Sequence, residues 1–89
     1  MTHRYLEVTY RNGRAVAAYL YLPRKQGDIS TRTERRVDGL LVDYAADGRA
    51  IGVEITAPML ARRDNLNALL AELAQEPLTE PEIAPLGAA

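Results

Sequence analysis

Asp43 and Glu54 are the two residues of this chain best placed to do chemistry. Between them lies Asp47-Gly48, flanked by alternating apolar residues in VDGLLVDYAADGRAIGVEITA, residues 37–57. An Asp-Gly pair tolerates the positive φ that a type I′ hairpin turn needs at both central positions. Pairing about it sets Ala46 opposite Arg49, Tyr44 opposite Ile51, Val42 opposite Val53 and Leu40 opposite Ile55. A four-residue loop, Ala45 to Gly48, slides the pairing by two and keeps the same faces. Strand side chains alternate with period two. One face then carries Leu40, Val42, Tyr44, Ile51, Val53 and Ile55, and the other Leu41, Asp43, Gly52 and Glu54. Asp43 faces Gly52, with Glu54 on the diagonal at about 7–8 Å between Cα atoms. Two such carboxylates, with Glu7 able to join them, could hold a hard cation or share a proton. The plainer reading pairs them with Arg32, Arg35 or Arg36 of the neighbouring strand.

Tyr19 and Tyr21 are the second candidates, on the face opposite the apolar residues of their strand. Beside Leu41 and Gly52 they make a semi-apolar patch, because a tyrosine ring can lie across a glycine. Such a patch serves either local cross-strand packing or a protein interface. Arg32, Arg35 and Arg36 form a candidate basic strand that could contact nucleic acid. Aromatic rings among arginines would suit single-stranded nucleic acid, but no recognised motif accompanies them.

Other chemistry finds few residues. Ser30 is the only serine, His3 the only histidine, and cysteine is absent. A nucleophilic triad would need a loop serine to meet a terminal histidine. A thiolate metal site and a disulfide are both excluded. No glycine-rich loop precedes a helix, so no phosphate cradle is expected. The residues imply no cofactor, no metal and no catalytic set.

Tyr5–Tyr10 alternates, with Leu6, Val8 and Tyr10 on one side. Asn12-Gly13 signals a turn. Val16–Leu22 alternates again, with Val16, Ala18, Leu20 and Leu22 toward the core, until Pro23 ends the strand. Ser30–Arg36 has β-branched threonines but almost no apolar surface, as an edge strand protected by charge would. After Ile55 the period changes. Leu66, Leu69, Leu70 and Leu73 make one apolar stripe of a helix over about Asn65–Gln75, with Asp64 as N-cap. The stripe either covers the chain's own sheet or docks on a partner. Thr79 and Glu82 fit a capping box, with Leu78 and Ile83 at the hydrophobic-staple positions. Pro85 limits any helix there to about one turn.

The strand and hairpin motifs resemble a family of small prokaryotic proteins catalogued as domain of unknown function 2283. The matching residues are Tyr10, Ala17-Ala18-Tyr19-Leu20-Tyr21-Leu22, Asp43, Asp47-Gly48-Arg49 and Gly52-Val53-Glu54-Ile55, within residues 5–57. Where the family flanks its first turn with acids, this chain has Arg11 and Val16. The resemblance implies a small sheet-plus-helix domain with no established enzyme activity. Some family members are encoded beside small toxin-like proteins, which implies an antitoxin-like role and a toxin-like partner.

Composition agrees with one ordinary globular domain. The chain has 89 residues, 47% hydrophobic and 26% charged, enough for a modest core. No apolar run reaches the ~18–20 residues of a membrane span, so a cytoplasmic location is expected. Residues 1–36 hold eight Lys/Arg against three acids, and residues 37–89 hold three against nine. That asymmetry marks either a charged partner or two halves that neutralise one another in space. The expected fold is α+β, an antiparallel β-meander of four to five strands with one C-terminal amphipathic helix on one face. Residues 1–76 form the domain, and residues 77–89 a short Pro-rich tail with one helical turn. The function expected is a non-catalytic protein–protein interaction module, antitoxin-like or a homodimer. The alternatives are a ligand- or metal-binding domain or enzyme using the Asp43/Glu54 face, and a nucleic-acid binder using Arg32, Arg35 and Arg36.

Overall fold

A computed structural model describes residues 3–87, and Met1, Thr2, Ala88 and Ala89 lie outside the described residues. Asn12 and Gly13 both take positive φ, 52° and 76°, the backbone of a type I′ turn. They join β1 (Tyr5–Arg11) to β2 (Arg14–Tyr21) with Arg11 opposite Arg14. The hairpin is not uniform. Thr9 pairs with Ala17 and Tyr10 with Ala15, which leaves Val16 as an extra residue in a bulge. Val16 therefore turns outward, 43% exposed, and Ala15 is buried in its place. The simple alternation expected for Val16–Leu22 holds only from Ala18 onward.

The remaining strands are β3 (Arg32–Arg35), β4 (Leu40–Tyr44) and β5 (Ala50–Ile55). All neighbours are antiparallel, in the order β1-β2-β5-β4-β3. This is α+β as expected, but the sheet is not a simple meander. The chain leaves β2 inside the sheet, crosses to its far edge and returns through β4 to β5. Strand alternation specifies each hairpin but not which strands meet across a ten-residue connection, residues 22–31. The observed order puts the most apolar strands, β2, β4 and β5, in the interior. The charged β3 takes an edge, as its composition predicts.

Within the β4–β5 hairpin, Leu40 faces Ile55, Val42 faces Val53 and Asp43 faces Gly52, the register read from the sequence. The turn differs. Gly48 N–H bonds Ala45 O at 2.9 Å, and Ala45 N–H bonds Arg49 O at 2.9 Å. Only Gly48 has positive φ, +91°; Asp47 does not. The loop is a turn closed by a glycine bulge rather than a type I′ pair, so Tyr44 faces Ala50 instead of Ile51. The core face is unchanged, and Leu40, Val42, Tyr44, Ile51, Val53 and Ile55 are all buried.

Helix α1 spans Arg63–Glu72. Arg62, not Asp64, is its N-cap and makes no side-chain cap, so Asp64 sits in the first turn, where its charge suits the helix dipole. Leu66, Leu69 and Leu70 are buried with Leu20, Leu22, Val42 and Val53, and Leu73 packs at the margin. Each buried leucine contributes about 1.5–3 kcal/mol. The helix ends in a Schellman motif: Gln75 N–H bonds Leu70 O, Ala74 N–H bonds Ala71 O, and Ala74 takes φ +58°. The tail then forms α2, Glu80–Gly87, two turns rather than the single turn expected. Pro85 forfeits only the bond its absent N–H would give to Pro81 O, while the capping box secures the start. Thr79 N–H bonds Glu82 Oε1 at 2.9 Å, and Glu82 N–H bonds Thr79 Oγ1 at 3.3 Å. Leu78 is buried and Ile83 packs against the core, as the staple requires.

Ala74 is a non-glycine residue held in the left-handed region. Replacing it by glycine should stabilise the chain by about 1 kcal/mol, read as a higher urea midpoint at constant slope. An unchanged midpoint would mean that α1 does not end in this motif.

Candidate functional site: the uncovered sheet face

Both helices bury their apolar side chains on one side of the sheet. The other side is built by two cross-strand rows. One runs Arg35, Leu41, Glu54, Tyr19, Glu7, and the other Thr33, Asp43, Gly52, Tyr21, Tyr5. Directly paired residues share a face. All six residues expected on an interaction face, Tyr19, Tyr21, Leu41, Asp43, Gly52 and Glu54, are therefore brought together.

Gly52 is the pivot of this face. A Cβ there would stand 1.9 Å from Tyr19 Oη and 2.3 Å from its Cζ, so the ring lies where a side chain would otherwise be. Lying across the glycine, Tyr19 reaches β4 and donates its hydroxyl to Asp43 Oδ2 at 2.6 Å. Thr33 Oγ1 donates to the other oxygen, Oδ1, at 2.5 Å. Tyr19 stands edge-on to Tyr21, ring centroids 4.7 Å apart, and Tyr21 stacks on Tyr5 at 4.4 Å. Arg24 closes the cluster. Its guanidinium lies 5.2 Å from the Tyr21 centroid, and its Nη2 donates to Tyr19 Oη at 3.2 Å. Its Nε donates to Ile51 O at 3.1 Å.

Tyr5, Arg24 and Thr33 were not among the expected face residues. Tyr5 was legible, since it alternates with Leu6 and Val8 on the side Glu7 takes. Arg24 was not, because it lies past Pro23 in a segment without periodicity.

Asp43 is held by a phenol and a threonine rather than by the arginines expected from the sequence. Among the described residues Glu54 has no ion pair. The two carboxylates are not engaged as a pair, and neither lines the two grooves at the end and side of α1. A groove of about 690 Å³ lies between the loop after β2, the β4–β5 turn and the end of α1, and includes Tyr44, Arg49 and Leu73. Among the described residues no cluster of metal-ligating side chains occurs. His3 and Ser30 are both exposed.

The basic strand does not act as a unit. Arg32 stacks on Tyr44 at 4.1 Å and pairs with Glu34 at 3.3 Å. Arg36, just past the strand, is shared by Glu34 at 2.8 Å and Glu72 at 2.5 Å. Arg35 points to the other face, in the row with Leu41. The four leucines of the candidate partner helix are spent on the chain's own core, so a partner could reach Leu66, Leu69 and Leu70 only by unfolding it. Among the described residues, cations of the basic half of the sequence meet acids of the acidic half in two ion pairs, Arg4–Glu82 and Arg36–Glu72. Arg4 makes a two-pronged pair with Glu82, and Arg49 bridges Asp28 and Asp47. Arg4 holds the Glu82 carboxyl below the usual range, and Arg49 does the same for Asp28 and Asp47.

Burial pushes the Tyr19 phenol up, and its bond to Asp43 and that residue's charge push it further. Tyr21 is also raised, by burial and then by the Glu7 charge. The fold thus favours the neutral phenol. Its contribution is present below the ordinary tyrosine value of about 10 and is lost as pH rises through the higher folded value. In an ultraviolet titration, part of the tyrosinate signal should be delayed to high pH, and Tyr19→Phe should remove the most delayed component. Five tyrosines titrating together would contradict the arrangement. Separately, Gly52→Ala must expel the Tyr19 ring. It should cost about 1–3 kcal/mol in urea denaturation and abolish the most delayed component of the titration. A silent Gly52→Ala would mean that the ring does not cross β5.

No protein-family model, no curated protein and no solved structure matches this chain.

Proposed function

We propose that this chain is a non-catalytic protein–protein interaction module that meets its partner through the uncovered sheet face. One observation carries the reading. Three contacting tyrosines and Leu41 lie on the side of the sheet that neither helix packs against. Tyrosine suits a surface that is apolar on one side and wet on the other, and tyrosine and arginine are the residues enriched at the centres of interfaces. The strand scaffold holds the cluster in one arrangement, which lowers the ordering cost of binding.

The resemblance to the domain of unknown function 2283 family supports the same reading and adds to it. On that basis the module acts in the cytoplasm, in an antitoxin-like role, with a toxin-like protein or its own copy as partner. No helix among the described residues is long and apolar enough to cross a membrane.

Site-specific photo-crosslinking in the native host tests the surface. A photoreactive residue at Leu41 should capture a protein, whereas the same group at Ala71, exposed on α1, should not. Equal capture at both positions, or none at Leu41, would overturn the reading.

A further inference from the structure

We propose that the uncovered face is occupied by a second copy of this chain, docked face to face about a two-fold axis that runs along β5. This rests on the reading above, that the face is a protein contact surface, and adds the identity of the partner.

Arg35 stands on β3 at one edge and Glu7 on β1 at the other, in the same cross-strand row. Both are exposed. Among the described residues neither makes an ion pair, and Glu7 has only a long contact with the Tyr21 hydroxyl, 3.5 Å. Arg4, Arg32, Arg36, Arg49 and Arg63 have carboxylate partners within the chain, whereas Arg11, Arg14 and Arg62, outside this row, have no ion pair among the described residues. The row therefore carries a cation, Arg35, at one margin and an anion, Glu7, at the other, with Glu54 the one charge between them.

A two-fold contact is self-complementary: where residue i meets j, j meets i. Rotation about an axis along β5 carries β1 over β3. Arg35 then lies over Glu7 of the second copy, twice, and Leu41 lies over Tyr19. The other in-plane axis, across the strands, keeps β3 over β3. It would set Arg35 near Arg35 and Glu7 near Glu7. The charges select the first axis. Packed sheets lie about 10 Å apart, with strands within about 30° of one another. Two strands out from β5 is about 10 Å, so that crossing angle displaces the margins by about 5 Å, within the reach of an arginine side chain.

The same axis brings Glu54 close to its own copy, one repulsion against two attractions. Five strands give a face about 24 Å wide, so the contact sits at the small end of specific interfaces and the dimer is expected to be weak.

Sedimentation equilibrium of the purified chain tests this directly. The native chain should pass from monomer to dimer with rising concentration. Arg35→Glu and Glu7→Arg should each weaken the dimer about tenfold, and the double reversal should restore it. Glu54→Gln should tighten it several-fold. Both margin positions are exposed, and circular dichroism checks that each variant folds. A native chain that stays monomeric at about 1 mM, or a double reversal no better than the single changes, overturns the proposal. If the chain is monomeric while Leu41 crosslinks a different protein in the host, the second copy is wrong and the contact surface stands. If Leu41 crosslinks nothing, the surface itself is wrong.

Discussion

The pairing of β2 with β5 is the constraint on which the rest of this structure depends. It is the seam that joins the β1–β2 hairpin to the β3–β4–β5 unit, and it is short: Ala18 to Tyr21 against Ile55 to Gly52. On the core side Leu20 meets Val53, both inaccessible to solvent. On the other side Tyr21 meets Gly52, and the glycine lets the neighbouring Tyr19 ring cross β5 to reach Asp43. A side chain at position 52 would oppose that crossing, and the hydroxyl would lose its acceptor on β4. The seam therefore ties three strands by side chains as well as by its ladder. Hydrophobic burial supplies its strength, and the ring across the glycine favours this one register.

A second closure depends on that seam. With β1 brought to the sheet edge, Arg4 meets Glu82 of α2 and donates to the backbone carbonyls of Glu76 and Pro77. Glu82 already serves the capping box through Thr79 N–H. One carboxylate thus caps a helix and anchors the strand before it in the chain's opposite terminus. Two-pronged arginine–carboxylate pairs are stronger and more directional than ordinary surface ion pairs, particularly when partly buried. Here the side chains are only 11% and 21% exposed. Arg4–Glu82 and Arg36–Glu72 each join a cation of the basic half of the sequence to an acid of the acidic half.

What could be read from the sequence follows what is local. The β4–β5 register was legible because Leu40, Val42, Val53 and Ile55 alternate against Leu41, Asp43 and Glu54, and a slip by one residue would bury charge. The capping box was legible because its four residues are neighbours. The length of α2 was not, because Pro85 costs less where a cap and a staple already hold the first turn. Asp64 looked like a cap but sits two residues inside the helix, since Arg62 already has extended backbone there. The crossing from β2 to β3 was invisible, as strand order is decided by which apolar strands reach the centre. Of the site, the six face residues were legible through alternation and the Gly52–Tyr19 relation. Arg24 was hidden by a loop.

The balance of the face favours contact over chemistry for a reason internal to it. A carboxylate that acts as base or metal ligand must keep lone pairs available and stand where a ligand can be enclosed. Asp43 instead accepts from Tyr19 and Thr33, one donor for each oxygen, on the sheet face that neither helix covers. Those bonds fix the ring and reduce what the carboxylate can offer a ligand. Arg35 and Glu54, which make no ion pair among the described residues, lie in one cross-strand row, with Glu7 at its far end. Charges spaced across a flat row cannot converge on a small ligand, but they can set the orientation of another surface laid over the tyrosines. The polar groups of this face hold its aromatic centre in one arrangement, which suits the proposed contact surface better than a small-ligand site.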